Sequence, residues 1–373
     1  MSSEDDSAMD MQAHHSPCLF PHDNQHDVIT IYKHGDKYLE VGRNSCTIDA
    51  NGEHTHTTAK TFQVCSRSLA RSSPVMEAML FGHFREAHEE RIGLPDDDPR
   101  VLEMLLRLAH GDSSGFDHLN VQEKMYLEDG GIDPLSTFLD EVYELLVLAN
   151  KYMMTQKLRL FRSLWHPQLV EWTNYITHLY DGVMPADYLK QLEKSMWMAS
   201  ELGSLSLYAA VFPYLIWHRG RDDDLFQSVM EPEGAADHIR WGYLQEVEGC
   251  LAPIRNAIRA WETDVDPTNL YLCKQLRRED RQRCQEKVLS VMVESLRQKG
   301  LWPLPDAKDV VRNLQSFVWD IENLVMRLEP LHKDCNLGTI LEQITSSRDK
   351  SHTENAVPPE PLSQVIKMRA KQF

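Results

Sequence analysis

Between Asp27 and Pro99 the apolar period of this chain switches from two to a helical spacing, and one device marks the switch twice. Ser73-Pro74 and Asp98-Pro99 each place a side-chain acceptor at a helix N-cap and a proline at the first helical position. A chain punctuated this way is committed to short strands followed by short capped helices. That order, with helices segregated after strands, argues an α+β fold.

The strand readings rest on local pattern. Asp27–Tyr32 alternates β-branched residues, and Lys37–Val41 and Lys60–Val64 read as two further strands. Asn51-Gly52 is a hairpin turn signal between them. From Ser66 the spacing of Leu69, Val75, Met76, Met79 and Leu80 predicts helix, restarted at Pro74. Arg91–Pro95 reads as a short strand. Pro99 then opens a helix whose buried face uses Val101, Leu102, Leu105, Leu106 and Leu108 and which ends near His110-Gly111. The polar stretch 112–137, with Gly130-Gly131, reads as an insertion loop, and Leu139–Phe161 as an apolar helix pair.

From about Trp165 onward the pattern is helical. Ser204–Trp217 is apolar enough for burial, and Pro213 suggests a pair of helices there. Asp306 is the expected N-cap of a helix from Ala307 to the neighbourhood of Pro330. Its seam of Val310, Leu314, Phe317, Ile321, Leu324 and Leu328, with Leu331 beyond the proline, is widened by Val311, Val318 and Val325. A seam that wide reads as the core of a helical domain rather than a free coiled coil. The expected organisation is a disordered arm at 1–26, an α+β domain at 27–164, an α-helical domain at 165–345 and a disordered tail at 346–373.

Composition excludes several functions. The net charge of -18 opposes a phosphate backbone, so nucleic acid is not an expected partner. Ser204–Trp217 is shorter than a membrane span, so no membrane is expected either. The N-terminus lacks the basic and apolar regions of a signal peptide, and seven cysteines without paired spacing suit reduced thiols, giving an intracellular expectation, cytoplasmic or nuclear.

No catalytic set, cofactor site or metal site is expected. His88 opens "HEER" without the second histidine of a zinc-protease helix, and no phosphate loop, dinucleotide fingerprint or nucleophile elbow is present. His54 and His56 share a strand face but lack a partnering cysteine pair. Cys273, Cys284, His332 and Cys335 converge only if their helices pack together; burial is the commoner fate of cysteine. The aspartates of "PDDDP" and "RDDDL" read as hydrated turns and helix caps, and the basic run Leu272–Cys284 as a solvated helix face.

Taken in order, these residues resemble the BTB/POZ domain in its fungal form. The resemblance is carried by Asp27-Val28-Ile29, by Phe62-Gln63-Val64 with Leu69–Val75 and Met79-Leu80, by Ile92–Pro99, by Leu105–Gly111 and by Leu145–Tyr152. Cys65 stands where the family usually carries histidine, and Met76 where it usually carries an aromatic. The resemblance implies a non-enzymatic protein-interaction adaptor with protein partners, a homodimer through the BTB domain, and a link to cullin scaffolds of ubiquitin ligases. In cullin-binding members a hydrophobic-x-Glu element follows the second helix, and Phe84-Arg85-Glu86 occupies the matching place. The alternatives are that Phe84 caps the domain's own core, and that the chain is a self-assembling structural or transcription-regulatory scaffold without cullin binding.

Overall fold

The computed structural model describes residues 28–43, 46–48, 54–56, 59–119, 134–179, 184–219, 224–263, 277–311, 313–328, 342–343, 363–364 and 366–368. Among the described residues six strands come first: β1 (Val28–Thr30), β2 (Lys37–Val41), β3 (Cys46–Ile48), β4 (His54–His56), β5 (Lys60–Val64) and β6 (Arg91–Leu94). Four of them form a mixed sheet in the order β1-β5-β2-β6, with β1/β5 and β2/β6 parallel and β2/β5 antiparallel. The hairpin signal at Asn51-Gly52 lies outside the described residues, but the strands on either side of it, β3 and β4, pair antiparallel.

The register puts one apolar row across the whole sheet. Ile29 opposes Phe62, Phe62 opposes Leu39, and Leu39 opposes Ile92. Phe62, Leu39 and Ile92 are fully buried. A one-residue slip of any strand would turn its member of the row to the opposite face, so this row fixes the register.

Helices α1 (Ser66–Ser72) and α2 (Pro74–Phe81) follow β5, and α3 (Pro99–Ala109) follows β6. Both sequence-read caps are present. Ser73 Oγ accepts from Met76 N at 3.0 Å, and Asp98 accepts from Arg100 N at 2.7 Å and Val101 N at 3.1 Å. Helix α1 takes its acceptor from outside: Asp36 accepts from Ser66 N at 2.8 Å and from Ser66 Oγ at 2.6 Å. Burial works against that carboxylate, but the Ser66 bonds and Lys37 outweigh it and hold Asp36 below the ordinary range. Gly42 ends β2 at φ 85°, and a Cβ there would lie 2.4 Å from Pro99 Cγ, so only glycine lets α3 start so close to the sheet.

The elements described after these are helices: α4 (Pro134–Lys151), α5 (Arg159–Leu179), α6 (Ala186–Glu201), α7 (Leu205–His218), α8 (Ala235–Thr263), α9 (Arg278–Gln298) and α10 (Leu314–Leu328). Helix α4 packs on α3 and on α6, α7 joins α6, α5 and α8, and α10 lies against α7, α8 and α9. Buried side chains form one continuous cluster from Leu39 in the sheet to Ile366 near the C-terminus. The expected boundary between 164 and 165 therefore falls inside α5, with no gap in the core there.

Several expectations are corrected. Ser204–Trp217 is one helix, α7, rather than a pair; it runs through Pro213, and the buried Tyr208, Val211, Phe212, Leu215 and Ile216 hold it against its neighbours. Asp306 caps no α-helix. Ala307–Asp309 is a single 3-10 turn, and α10 begins at Leu314 because Asn313 Oδ1 accepts from Ser316 N at 3.2 Å. Val310, Leu314, Phe317, Val318, Ile321 and Leu324 are buried, whereas Val311 is exposed, so the described seam belongs to the core and is narrower than its sequence suggests. The stretch 112–137 carries helical structure at both ends, a 3-10 turn at Ser114–Leu119 and the first turn of α4. Phe116 is buried there and stacks on Phe161 at 4.2 Å. Near the C-terminus, Ser363, Gln364 and Ile366–Met368 have helical backbone, and Ile366 is fully buried. The arm 1–26 lies outside the described residues.

Candidate protein-interaction site

Helix α2 stops for a steric reason. A Cβ at Gly82 would sit 2.2 Å from the Ala78 carbonyl oxygen, so glycine is required where the chain leaves the helix. Gly82 N donates to that carbonyl at 2.9 Å. The chain then extends through Phe84 (φ -77°, ψ 155°) into a 3-10 turn at Arg85–His88. Phe81 and Phe84 flank the reversal, and both stay in water, at 57% and 59% exposure.

The turn beneath these rings is pinned to the sheet. Lys37 of β2 donates to the Ala87 carbonyl at 3.2 Å and also to the Glu89 carbonyl. Tyr38 N donates to Glu90 O at 2.9 Å, and Ala87 N to Phe84 O at 3.2 Å. Arg85 pairs with Glu89 at 2.9 Å in a bridge too exposed to add much stability. The ordering entropy of this segment is therefore largely met in the free protein, which favours binding.

The structure thus brings Phe84, Arg85 and Glu86 into one short segment, with Phe84 and Arg85 exposed and Glu86 half-buried. Phe84 does not cap the core. Phe81 was not singled out from sequence; the signal available was an aromatic placed directly before a helix-ending glycine. A second exposed apolar pair, Val28 and Tyr32, lies in and just after β1, one of the two edge strands of the described sheet.

The other candidate chemistries dissolve into structure or fall outside what is described. Asp97 of "PDDDP" is not in a hydrated turn. It is 3% exposed and accepts from Lys151 Nζ at 2.5 Å and from Tyr152 Oη. Burial, then the hydrogen bond and charge of Asp97, push the Tyr152 phenol well above its ordinary value. Of the four candidate ligands, Cys284 is buried, while Cys273, His332 and Cys335 lie outside the described residues. Among the described residues no three His, Cys, Asp or Glu side chains converge to hold a metal ion, and no helix is long and apolar enough to cross a membrane. Cys65 is tied to the end of α3: His110 Nε2 accepts from Cys65 N at 2.9 Å.

No curated protein and no solved structure matches this chain. The BTB/POZ domain family does, over residues 47–130, from β3 through α3 and into residues beyond the described ones. With the small mixed sheet and its helices in place, that match shows that this chain carries a BTB/POZ domain, a protein-interaction fold of a generally non-enzymatic family, joined to a helical C-terminal region.

Proposed function

We propose that the chain is a non-enzymatic adaptor of the fungal BTB type, in which residues 27–164 dimerise and engage a cullin scaffold while the helical region 165–345 presents a captured protein. The observation that carries this reading is Phe84, 59% exposed on a turn that Lys37 pins to the sheet. An exposed aromatic on a preorganised loop is the usual anchor of a binding hot spot, since burying it in a partner pocket removes apolar area at little entropic cost. Phe81 widens the anchor, and Arg85 and Glu86 supply charge that orients an approaching partner. The test is binding of the full chain to the N-terminal region of a cullin, with Phe84→Ala/Glu86→Ala beside it.

A second reading, a self-assembling scaffold without a cullin link, is favoured by Val28 and Tyr32 at the sheet edge. An edge strand offers unpaired backbone to a second copy. Sedimentation of the full chain, with Val28→Lys/Tyr32→Lys as control, tests this. A dimer lost in the double variant, in a protein that ignores the cullin, favours the scaffold.

A further inference from the structure

At the junction of α5 and α7 the surface is hollowed into a cavity of about 740 Å3. Arg159, Arg162 and His166 line it from α5, the N-terminal turn of α7 lines it from Gly203 to Ser206, and Lys367 lines it from the C-terminal segment. Among the described residues its lining holds no Asp or Glu, although the chain carries a net charge of -18. A concavity of one sign raises the local concentration of the opposite ion, so this lining suits an anion.

The wall is built rather than incidental. Arg162 Nη2 donates to the Gly203 carbonyl at 3.1 Å, which sets its guanidinium beside the α7 terminus. Ser204 Oγ caps α7 by accepting from Leu207 N at 3.1 Å, and Ser206 Oγ meets His166 Nε2 at 3.0 Å. Fully buried Ile366 fixes the backbone next to Lys367. The positive end of α7 adds to the side-chain charge.

We propose that this cavity binds a phosphate monoester borne on a partner peptide. Three cationic side chains and an imidazole suit a dianion with three acceptor oxygens, and an arginine fork matches phosphate better than a lone carboxylate needs. The space exceeds a bare phosphate and lies in the range of small-ligand sites, on the order of 300–1,000 Å3. Among the described residues the lining offers no Phe, Tyr or Trp face for a nucleobase. Leu160, at 76% exposure, lines the cavity from α5 and gives an apolar side chain of a peptide somewhere to lie. This site is separate from the Phe84 surface, so it stands or falls independently of cullin binding.

The experiment is calorimetric titration of the full chain at constant ionic strength. The probes are a short peptide carrying one phosphoserine among leucines, its unphosphorylated form, its glutamate form, and inorganic phosphate. Two variants accompany the wild type: Arg159→Gln/Lys367→Gln, which changes only exposed residues, and Ser206→Asp, which suits a helix N-terminus but repels phosphate. The expected result is binding of the phosphopeptide about tenfold or more tighter than of each other probe, reduced about tenfold or more in both variants at unchanged melting temperature. Equal affinity for phosphorylated and unphosphorylated peptides overturns the assignment, as does phosphopeptide binding that neither variant weakens. Inorganic phosphate binding as tightly as the phosphopeptide overturns the partner-borne source.

Discussion

The Ser73 hydroxyl donates to the Tyr152 carbonyl at 2.6 Å, across 79 residues of sequence, while its oxygen accepts from Met76 N at 3.0 Å. One buried side chain thus starts α2 and ties the end of α4 to it. Cap and tertiary contact are the same group, which is why the Ser-Ser-Pro punctuation carries more than local helix initiation.

Ser73→Ala removes a cap and leaves the Tyr152 carbonyl without that donor. A lost cap costs about 1 kcal/mol and a buried acceptor left unpaired about 1–3. The expected result is a destabilisation of about 2–3 kcal/mol, read as a fall in the urea midpoint. Ser73→Thr keeps the hydroxyl and recovers most of it.

Asp97, in the loop between β6 and α3, is a second tie to the end of α4. Asp97→Asn leaves Lys151 without its partner and weakens the bond from Tyr152, for an expected cost of about 2–4 kcal/mol. Tyr152→Phe costs less, about 1 kcal/mol. A double-mutant cycle should give a coupling on the order of 1 kcal/mol between the two positions, since they share one carboxylate.

His218 makes the fold sensitive to acid. It is 7% exposed, and burial pushes its imidazole down to about 4 from the ordinary 6.5. The folded chain holds it neutral, so nothing is lost above about pH 6.5. Below that the unfolded chain takes a proton the folded chain refuses, and stability falls as pH falls toward 4. His166 acts with the same sign, lowered first by burial and then by Arg162. Between about pH 7.5 and 5 the His218 contribution is about 2 kcal/mol. Urea midpoints at the two pH values, for wild type and His218→Gln, check this; the variant should lose correspondingly less.

Phe81→Ala and Phe84→Ala should leave the melting temperature nearly unchanged. Both rings are more than half exposed, and surface substitutions of that kind stay within about 0.5 kcal/mol. Differential scanning fluorimetry checks it. A large loss of stability would mean that these rings serve the fold.

What was legible in the sequence was what is decided locally. Lys37–Val41 and Lys60–Val64 are strands over the stretches their alternation marks, and Ser73-Pro74 and Asp98-Pro99 cap α2 and α3 because cap chemistry needs only neighbouring residues. What was not legible depends on distant partners. Pro213 fails to break α7 because its helix is buried on both sides of the proline. Asp306 yields to Asn313 as the start of α10, a helix that packs on the sequence-distant α7, α8 and α9. Asp97 looks like a turn aspartate until α4 delivers Lys151 and Tyr152 to it. At the candidate site the segment 84–86 could be read from its position after α2, but the pinning by Lys37 and the companion ring of Phe81 required the sheet.

The surface at Phe84 is proposed to bind a protein partner. The direct measurement is an isotherm of the full chain against the N-terminal region of a cullin, with Phe84→Ala/Glu86→Ala at equal melting temperature. Binding at about 1 μM or tighter, near -8 kcal/mol, that weakens at least about tenfold in the variant is the predicted result. No binding by well-folded wild type, or equal binding by the variant, would contradict it.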